Sequence, residues 1–280
     1  MSKKNTPVAI VYDFDGTLAK GNIQENSFIP QLRVKKTQFW EEVKQIAKKD
    51  EMDEILAYMY LLIKKANESG ISCQKSEIKK HGKNVRYFEG VEQYFDKINA
   101  YAKGKNISLE HYIISSGTQE MIEGTSIAKE FKYIFASSFK YNHEGVAEWP
   151  ALAINYTTKT QYLFRINKGI ENAWDNANIN KYTPLEERPI LFENMLYIGD
   201  GDTDIPAMKM LNYQGGTSIG VYPANTSGAK SKAQELLKNN RASYIAKANY
   251  SENSDLVKII KGILKQISIK ASIKQHTNIG

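Results

Sequence analysis

The chain has 280 residues, of which 41% are hydrophobic and 25% are charged, so global disorder is excluded and a sizeable core is expected. This length is near the upper limit for a single hydrophobic core. The chain is therefore expected to form either one large domain that carries an insertion or two separate domains. The net charge of +7 comes mainly from scattered lysines. Because nucleic-acid sites are usually clustered, we expect no nucleic-acid partner, and the mild excess suits small anionic substrates.

The N-terminus and the single cysteine indicate where the protein resides. The polar segment Met1–Pro7 lacks the pattern of a secretory signal peptide. No segment approaches the roughly 18 consecutive apolar residues of a membrane span. Cys73 is the only cysteine and cannot form an intramolecular disulfide, which is typical of a reducing compartment. We expect a cytoplasmic protein with no membrane partner. These patterns do not predict an oligomeric state.

The first apolar segment, Val8–Tyr12, leads directly into Asp13, Asp15, Gly16 and Thr17. A run rich in β-branched residues that ends in a turn signal predicts a strand buried on both faces. Open α/β sheets bind ligands at the carboxyl ends of their strands. Two carboxylates this close repel each other unless a cation or a shared proton separates them. A plain strand-ending turn is the alternative at this point.

Residues 21–85 are predicted to form an all-helical insertion after this strand. Two runs of apolar residues recur at helical spacing, and Gly70 suits a left-handed helix end. The runs consist of Phe39, Val43, Ile46 and Ala47, followed by Met52, Ile55, Leu56, Met59, Leu62 and Ile63.

A second strand, His111–Ile114, follows a helix predicted over Gly90–Ala102. It ends in Ser115, Ser116 and Gly117, before a helix predicted over Gln119–Ala128. Backbone amides at such a turn form an anion site, although Ser-Ser-Gly also occurs in ordinary turns.

The middle of the chain is predicted to contain further strands and one helix. Tyr133–Ala136 is predicted as a core strand, and Phe139–Asn142 and Leu152–Tyr156 as a hairpin. A helix is expected to begin at Thr158-Lys159, and Asn172–Glu187 is predicted as a loop.

A third strand, Met195–Ile198, is followed by Asp200, Asp202 and Asp204. Acids this dense among glycines indicate a divalent cation bound through oxygen atoms, but the twelve-residue calcium loop is absent. The remaining elements are predicted as a strand, Thr217–Tyr222, and two helices, Ala229–Asn239 and Leu256–Ile269.

The alternation of strands and helices predicts an α/β protein, with a parallel sheet sandwiched by helices. Three of its strands end in polar loops, which should meet at one edge of the sheet.

Together, these motifs resemble the haloacid dehalogenase-like hydrolase superfamily. Its four motifs are matched in order by Asp13-Phe14-Asp15-Gly16-Thr17, by Ser115, by a lysine ahead of the third loop, and by Gly199–Asp204. The helical insertion is similar to the cap of the phosphoserine-phosphatase-like branch. The resemblance implies a Rossmann-like core of residues 1–20 and 86–280 and a cap domain of residues 21–85.

The resemblance also implies a role for each matched residue. Asp13 would be the nucleophile that becomes an aspartyl-phosphate, and Asp15 would be the general acid and base. Mg²⁺ would bind Asp13, the Asp15 backbone carbonyl and Asp200, with Asp204 holding a magnesium water or the lysine. The phosphate would be bound by Ser115, Ser116, Gly117, Gly16 and Thr17.

The lysine is expected to be Lys159, because it begins a helix after a strand, and Lys168 is the alternative. Asp202 is expected to be a surface acid rather than a metal ligand.

Substrate specificity is left open at this stage. In phosphoserine phosphatases a glutamate early in the cap recognises the amino acid, whereas here Asn22 stands near that place and Glu25 is out of register. Phosphoserine is therefore not inferred as the substrate. The cap residues considered for substrate contact are Glu25, Asn26, Phe28 and Arg33.

The resemblance implies an Mg²⁺-dependent phosphatase that acts on a small phosphorylated metabolite. The alternatives are a phosphotransferase or phosphonate-cleaving enzyme on the same scaffold, or a non-catalytic protein whose acids bind a structural cation.

Overall fold

The computed structural model describes residues 5–277, with side chains described to residue 274, so most of the polar N-terminal segment lies outside the described residues. A seven-stranded sheet has the order β4-β3-β2-β1-β5-β6-β7. Its strands are β1 Thr6–Tyr12, β2 Ile107–Thr118, β3 Tyr133–Tyr141, β4 Ala147–Leu152, β5 Met195–Gly199, β6 Thr217–Tyr222 and β7 Tyr244–Lys247. All neighbours pair in parallel except β3 and β4, which confirms the predicted α/β fold.

The helical insertion after β1 is confirmed. It contains α1 Phe28–Gln31, α2 Lys36–Lys49, α3 Glu54–Glu68 and α4 Lys75–Lys80, with 3₁₀ turns at Ile23–Asn26 and His81–Asn84. The chain enters and leaves it through paired segments, since the Lys20 amide donates to the Arg86 carbonyl at 2.7 Å and the Phe88 amide to the Leu18 carbonyl at 3.0 Å. The division into domains at residues 21–85 stays a prediction.

The remaining helices include those that cover the two faces of the sheet. These remaining helices are α5 Val91–Lys103, α6 Gln119–Glu123, α7 Lys159–Lys168, α8 Asn176–Asn180, α9 Ile205–Tyr213, α10 Ala229–Lys238 and α11 Asp255–Thr277. The short α8 packs on α7. One apolar cluster includes Leu163, Met208 and Leu236 from α7, α9 and α10. The other joins α5, α11 and the insertion. Within residues 5–277, no helix is both long and apolar enough to cross a membrane.

The insertion packs closely on the core at two glycines. A Cβ atom on Gly124 would lie 1.8 Å from the Lys79 carbonyl oxygen, and one on Gly82 would lie 2.0 Å from the Met121 carbonyl oxygen. Neither position leaves room for a side chain. The insertion is therefore held against α6 at backbone distance.

β1 lies at the centre of the sheet, between β2 and β5. Its residues 8–12 have no exposed surface, as expected for a strand buried on both faces. Tyr12 is in register with Ile113 on one side and Ile198 on the other. The loops that follow β1, β2 and β5 therefore begin at the same edge of the sheet.

Several predicted elements differ from the structure. The predicted strands Tyr133–Ala136 and Phe139–Asn142 form the single strand β3, and its hairpin partner is β4, not Leu152–Tyr156. β4 contains Pro150, which is tolerated because β4 is an edge strand. The four-residue strand β7 was not predicted, and the predicted loop Asn172–Glu187 contains α8. Helix α6 ends at Glu123 rather than near Ala128, and α11 continues to Thr277.

Candidate active site

Asp13 lies at the carboxyl end of β1, where its amide donates to the Ile198 carbonyl at 2.9 Å and so extends the pairing with β5. Its side chain is buried, and Oδ1 accepts the Phe14 amide at 2.7 Å. Burial, opposed by the nearby Lys159 and supported by Asp204, raises the pKa of Asp13 to about 6. The chain thus places a carboxylate in a site where its charge needs a partner.

Lys159, the first residue of α7, is that partner. Its side chain is fully buried, and Nζ lies 3.1 Å from Asp13 Oδ1 and 2.7 Å from Asp204 Oδ1. Burial alone would lower the pKa of Lys159, but the two carboxylates outweigh it and raise the pKa above its usual value. Lys168, at the other end of α7, instead donates to the carbonyls of Ile179 and Lys181 at 2.6 and 2.7 Å.

Asp204 is held from three directions. Besides Lys159, its Oδ1 accepts the Tyr197 hydroxyl at 2.7 Å, and its Oδ2 accepts the Gly201 amide at 3.3 Å. The residue is fully buried. Asp204 therefore fixes the ammonium group that contacts Asp13.

The carboxylates of Asp13, Asp200 and Asp204 form one cluster. Each offers an oxygen, and these oxygens lie within 4.8 Å of one another, a donor set that suits a hard divalent cation. Gly16, at φ +74°, allows Asp200 to approach, since a Cβ there would lie only 2.3 Å from Asp200 Oδ2. Asp202 pairs with Lys232 at the exposed opening of the cavity that these acids line.

Asp15 faces the same space from the loop after β1. Its Oδ1 accepts the Ile23 amide at 2.8 Å. Desolvation of the carboxyl, followed by the charge of Asp13, raises the pKa of Asp15 well above its usual range. A Cβ on Gly117 would lie 2.9 Å from Asp15 Oδ2, so the irregular carboxyl end of β2 contacts this carboxyl directly.

The carboxyl end of β2, which continues past the predicted end at Ile114 to Thr118, brings hydroxyl groups to the acids. Ser115 is fully buried, and its Oγ accepts the Gly117 amide at 3.0 Å. The Oγ atom of Ser116 is buried without a hydrogen-bond partner among the described residues, as is Oγ1 of Thr17. Ser116 lines the cavity described below and Thr17 does not, so a ligand there would supply the missing hydrogen bond to Ser116.

The acids and serines form the floor of a cavity of about 410 Å³, and the insertion covers it. The side chains that line it from the insertion include Asn22, Gln24, Glu25, Trp40 and Tyr58. Of the four cap residues considered from the sequence, only Glu25 is among the lining residues. Phe28 instead packs on His81 within the insertion, with ring centroids 4.8 Å apart.

Several residues of the site were missed from the sequence. Tyr58 donates its hydroxyl to the Ser116 carbonyl at 2.7 Å, and Tyr250 donates to the Thr17 carbonyl at 3.1 Å. The apolar periodicity of this helix runs through Met59 and Leu62 and does not include Tyr58, and it says nothing about a hydroxyl group. Tyr250 lies more than 230 residues from the loop it anchors, and no local pattern marks it.

Comparison with known proteins gave a family match. A model of the haloacid dehalogenase-like hydrolase family matches residues 10–209, a range that includes every acid of the cluster and Lys159. A curated protein of Borreliella burgdorferi, described as "Uncharacterized protein", is 29% identical over 283 residues, covering 91% of this chain and 96% of that protein.

Solved structures share the fold. A phosphoserine phosphatase with a phospho-aspartyl intermediate analogue matches with a TM-score of 0.55 and 15% identity, over 92% of this chain and 99% of that one. A probable phosphoserine phosphatase from Vibrio cholerae matches with a TM-score of 0.58 and 12% identity, over 95% of this chain and 67% of that one. These identities are low, so the likeness concerns the fold.

Proposed function

The chain belongs to the haloacid dehalogenase-like hydrolase family, and we propose that it is an Mg²⁺-dependent phosphatase that hydrolyses a small phosphorylated metabolite through an aspartyl-phosphate. The observation that carries the proposal is the buried Lys159, which joins Asp13 to Asp204 beside Asp15. The Lys159 ammonium favours the ionised form of Asp13, whereas burial and the charge of Asp13 favour the protonated form of Asp15.

Asp13 is the nucleophile. The Phe14 amide and the Lys159 ammonium both bind Oδ1, which leaves Oδ2 as the oxygen that attacks phosphorus. The attack forms the Asp13–phosphorus bond and breaks the bond to the ester oxygen. A carboxylate nucleophile of this kind divides one difficult displacement into two easier ones.

Asp15 is the general acid and then the general base. Burial and the charge of Asp13 raise the pKa of Asp15, which favours the protonated carboxyl, and this proton goes to the departing alkoxide. The resulting carboxylate then takes a proton from the water that hydrolyses the aspartyl-phosphate. The Ile23 amide orients the group by binding Oδ1.

Asp13, Asp200 and the Asp15 backbone carbonyl would hold Mg²⁺, and the oxygen cluster fits this ion. When bound, the ion offsets the repulsion between Asp13 and an anionic phosphate. Asp204 has both oxygens engaged by Lys159, Tyr197 and Gly201, so we assign it to holding the lysine. Ser115, Ser116, Gly117, Gly16 and Thr17 would surround the phosphate.

Phosphonate cleavage through a Schiff base would need a nucleophilic lysine, which proteins produce by burial. Among the described residues, no lysine of the insertion is buried, and this favours a phosphatase. Phosphoryl transfer to another acceptor uses the same residues, and analysis of the products for free phosphate separates it from hydrolysis. The free cysteine, Cys73, supports the further proposal of a cytoplasmic location.

The test is phosphate release from p-nitrophenyl phosphate and from a panel of phosphorylated metabolites. We expect turnover with Mg²⁺, loss of turnover with EDTA, and recovery when Mg²⁺ is added back. Asp13→Asn should abolish turnover, whereas Asp96→Asn, which changes an exposed carboxylate of α5, should keep it. A fully active Asp13→Asn variant, or a tightly bound metal with no turnover of any ester, would contradict the proposal.

A further inference from the structure

The part of the cavity above the acids is formed by the insertion and would receive the alcohol that leaves. The whole cavity of about 410 Å³ lies at the small end of the range for ligand pockets, roughly 300–1,000 Å³. It therefore has room for a phosphate with one ring or a short chain. The nature of the leaving group follows from what Glu25, Trp40, Tyr58 and Gln24 present to this space.

Glu25 is the acid of the insertion closest in sequence to the active-site loop, but its carboxylate is already occupied. Oε1 accepts the Trp40 indole N–H at 2.7 Å and the Asn22 amide at 3.1 Å. Oε2 forms an ion pair with Lys36. Because its charge is compensated, Glu25 is not free to bind an ammonium group of the substrate. It acts instead as a positioning residue for Trp40.

Trp40 and Tyr58 form an aromatic corner in the cavity. Their ring centroids are 5.8 Å apart and their planes are inclined by 63°. Both polar edges are occupied, the indole N–H by Glu25 and the phenol hydroxyl by the Ser116 carbonyl. Tyr58 is only 2% exposed, so the surface that this corner offers to a ligand is mainly the half-buried indole ring of Trp40. The two hydrogen bonds fix the orientation of both rings.

Gln24 supplies a neutral polar atom without a partner from the insertion side of the cavity, as Ser116 does from the core side. The residue is 2% exposed, and its Oε1 is buried with no hydrogen-bond donor among the described residues. A buried acceptor left unsatisfied destabilises a protein, so this oxygen calls for a donor from a ligand. A hydroxyl group of the substrate would supply it.

Apart from the compensated Glu25, the charged groups that the insertion contributes to the cavity lie at its rim. Lys44 and Glu54 line it, and both are exposed. On the core side of the opening, Lys232 is paired with Asp202. Apart from the catalytic acids, the deep part of the cavity therefore offers no free charge from the described residues.

We propose that the leaving group is a neutral, polyhydroxylated alcohol of the sugar type and not a zwitterionic amino acid. The C–H face of a sugar packs on the Trp40–Tyr58 corner, and one of its hydroxyls donates to Gln24 Oε1. In phosphoserine the ammonium and carboxylate lie close to the ester oxygen, which would bury both where no free opposite charge meets them. This inference rests on the proposed phosphatase function.

The experiment compares kcat/KM of the full chain with Mg²⁺ for a hexose 6-phosphate, a pentose 5-phosphate, phosphoserine and p-nitrophenyl phosphate. We expect the better sugar phosphate to exceed phosphoserine by at least about tenfold, the effect of one buried hydrogen bond. Gln24→Leu should lower the ratio of sugar phosphate to p-nitrophenyl phosphate by about the same factor. Gln38→Leu, at an exposed position of α2, should leave that ratio unchanged.

Trp40→Leu should lower the same ratio, and Trp174→Leu, which removes an exposed indole, is its matched control. Gln24→Glu, which keeps the acceptor and adds a charge, should shift the preference towards phosphoserine. If wild type prefers phosphoserine, or Gln24→Leu leaves the ratio unchanged, the leaving-group assignment is wrong while the phosphatase stands. If wild type hydrolyses no ester with Mg²⁺, both the phosphatase proposal and the leaving-group assignment are wrong.

Discussion

Replacing Lys159 by methionine separates the two tasks of this lysine, which are to stabilise the fold and to serve the chemistry. The substitution keeps most of the side-chain volume but leaves Asp13 and Asp204 without their cation. The side chains of Lys159 and Asp204 are fully buried, and that of Asp13 is 6% exposed. Removing one partner of such a buried ion pair destabilises a protein by about 3–5 kcal/mol.

For a chain of this length, the loss corresponds to a fall in the melting temperature of roughly 5–15 °C. Phosphatase kcat should fall at least a hundredfold, the typical effect of removing one charge-stabilising group from an active site. Thermal melts and assays with p-nitrophenyl phosphate measure the two effects on the same preparation. Adding Asp204→Asn to Lys159→Met should recover part of the stability, because one uncompensated charge is removed, but no activity.

Lys168→Met is the matched control, since this lysine lies at the other end of α7 and binds two carbonyls. It should keep its activity and lose less stability. A Lys159→Met variant with the melting temperature and the turnover of wild type would refute the role of this lysine. Loss of turnover in Lys168→Met, with turnover kept in Lys159→Met, would refute it as well.

Two further predictions concern Asp15 and the metal-free protein. Gly117→Ala places a Cβ 2.9 Å from Asp15 Oδ2 and 3.2 Å from Ser115 Oγ, so it should displace the proton donor and lower kcat at least about tenfold. Gly262→Ala, in open space on α11, should keep wild-type kcat, and an unchanged Gly117→Ala enzyme would refute the contact. In metal-free protein, the Asp13 pKa is raised from 3.8 to about 6, so the folded state binds the proton more tightly than the unfolded state. Ionising Asp13 therefore removes about 3 kcal/mol of stability as the pH rises from 4 to above 6, and urea unfolding at pH 5 and pH 8, with and without Mg²⁺, measures this loss and its reversal by the metal. Stability that did not fall between these pH values, and did not respond to Mg²⁺, would contradict the acid cluster.

The site residues that could be predicted are those whose position follows from local sequence. Asp13 and Asp15 follow a buried strand directly, and strand register brings their loop to Ser115 and to the loop of Asp200. Such residues are located once the strands are located. Their catalytic roles, however, came from the family resemblance and stay proposals.

Long-range contacts could not be predicted in the same way. Lys159 was preferred to Lys168 because it begins the helix, but Lys168 stayed an alternative, because the choice depends on how α7 packs against the loop of Asp204. Trp40 was not singled out, since the Glu25 hydrogen bond that orients it forms only when the insertion folds. Similarly, β4 was misplaced because Pro150 disfavours a strand. Proline is tolerated there only because β4 lies at the edge of the sheet.

The most direct test of the account is to identify the residue that becomes phosphorylated. The enzyme would be mixed with a phosphate ester and Mg²⁺, quenched in acid within the first turnover, reduced with borohydride and analysed by peptide mass spectrometry. Borohydride converts an aspartyl-phosphate to homoserine, and we predict this conversion at Asp13 in wild type and its absence in Asp13→Asn. Conversion at another aspartate, or steady turnover with Asp13 unmodified throughout, would contradict the account.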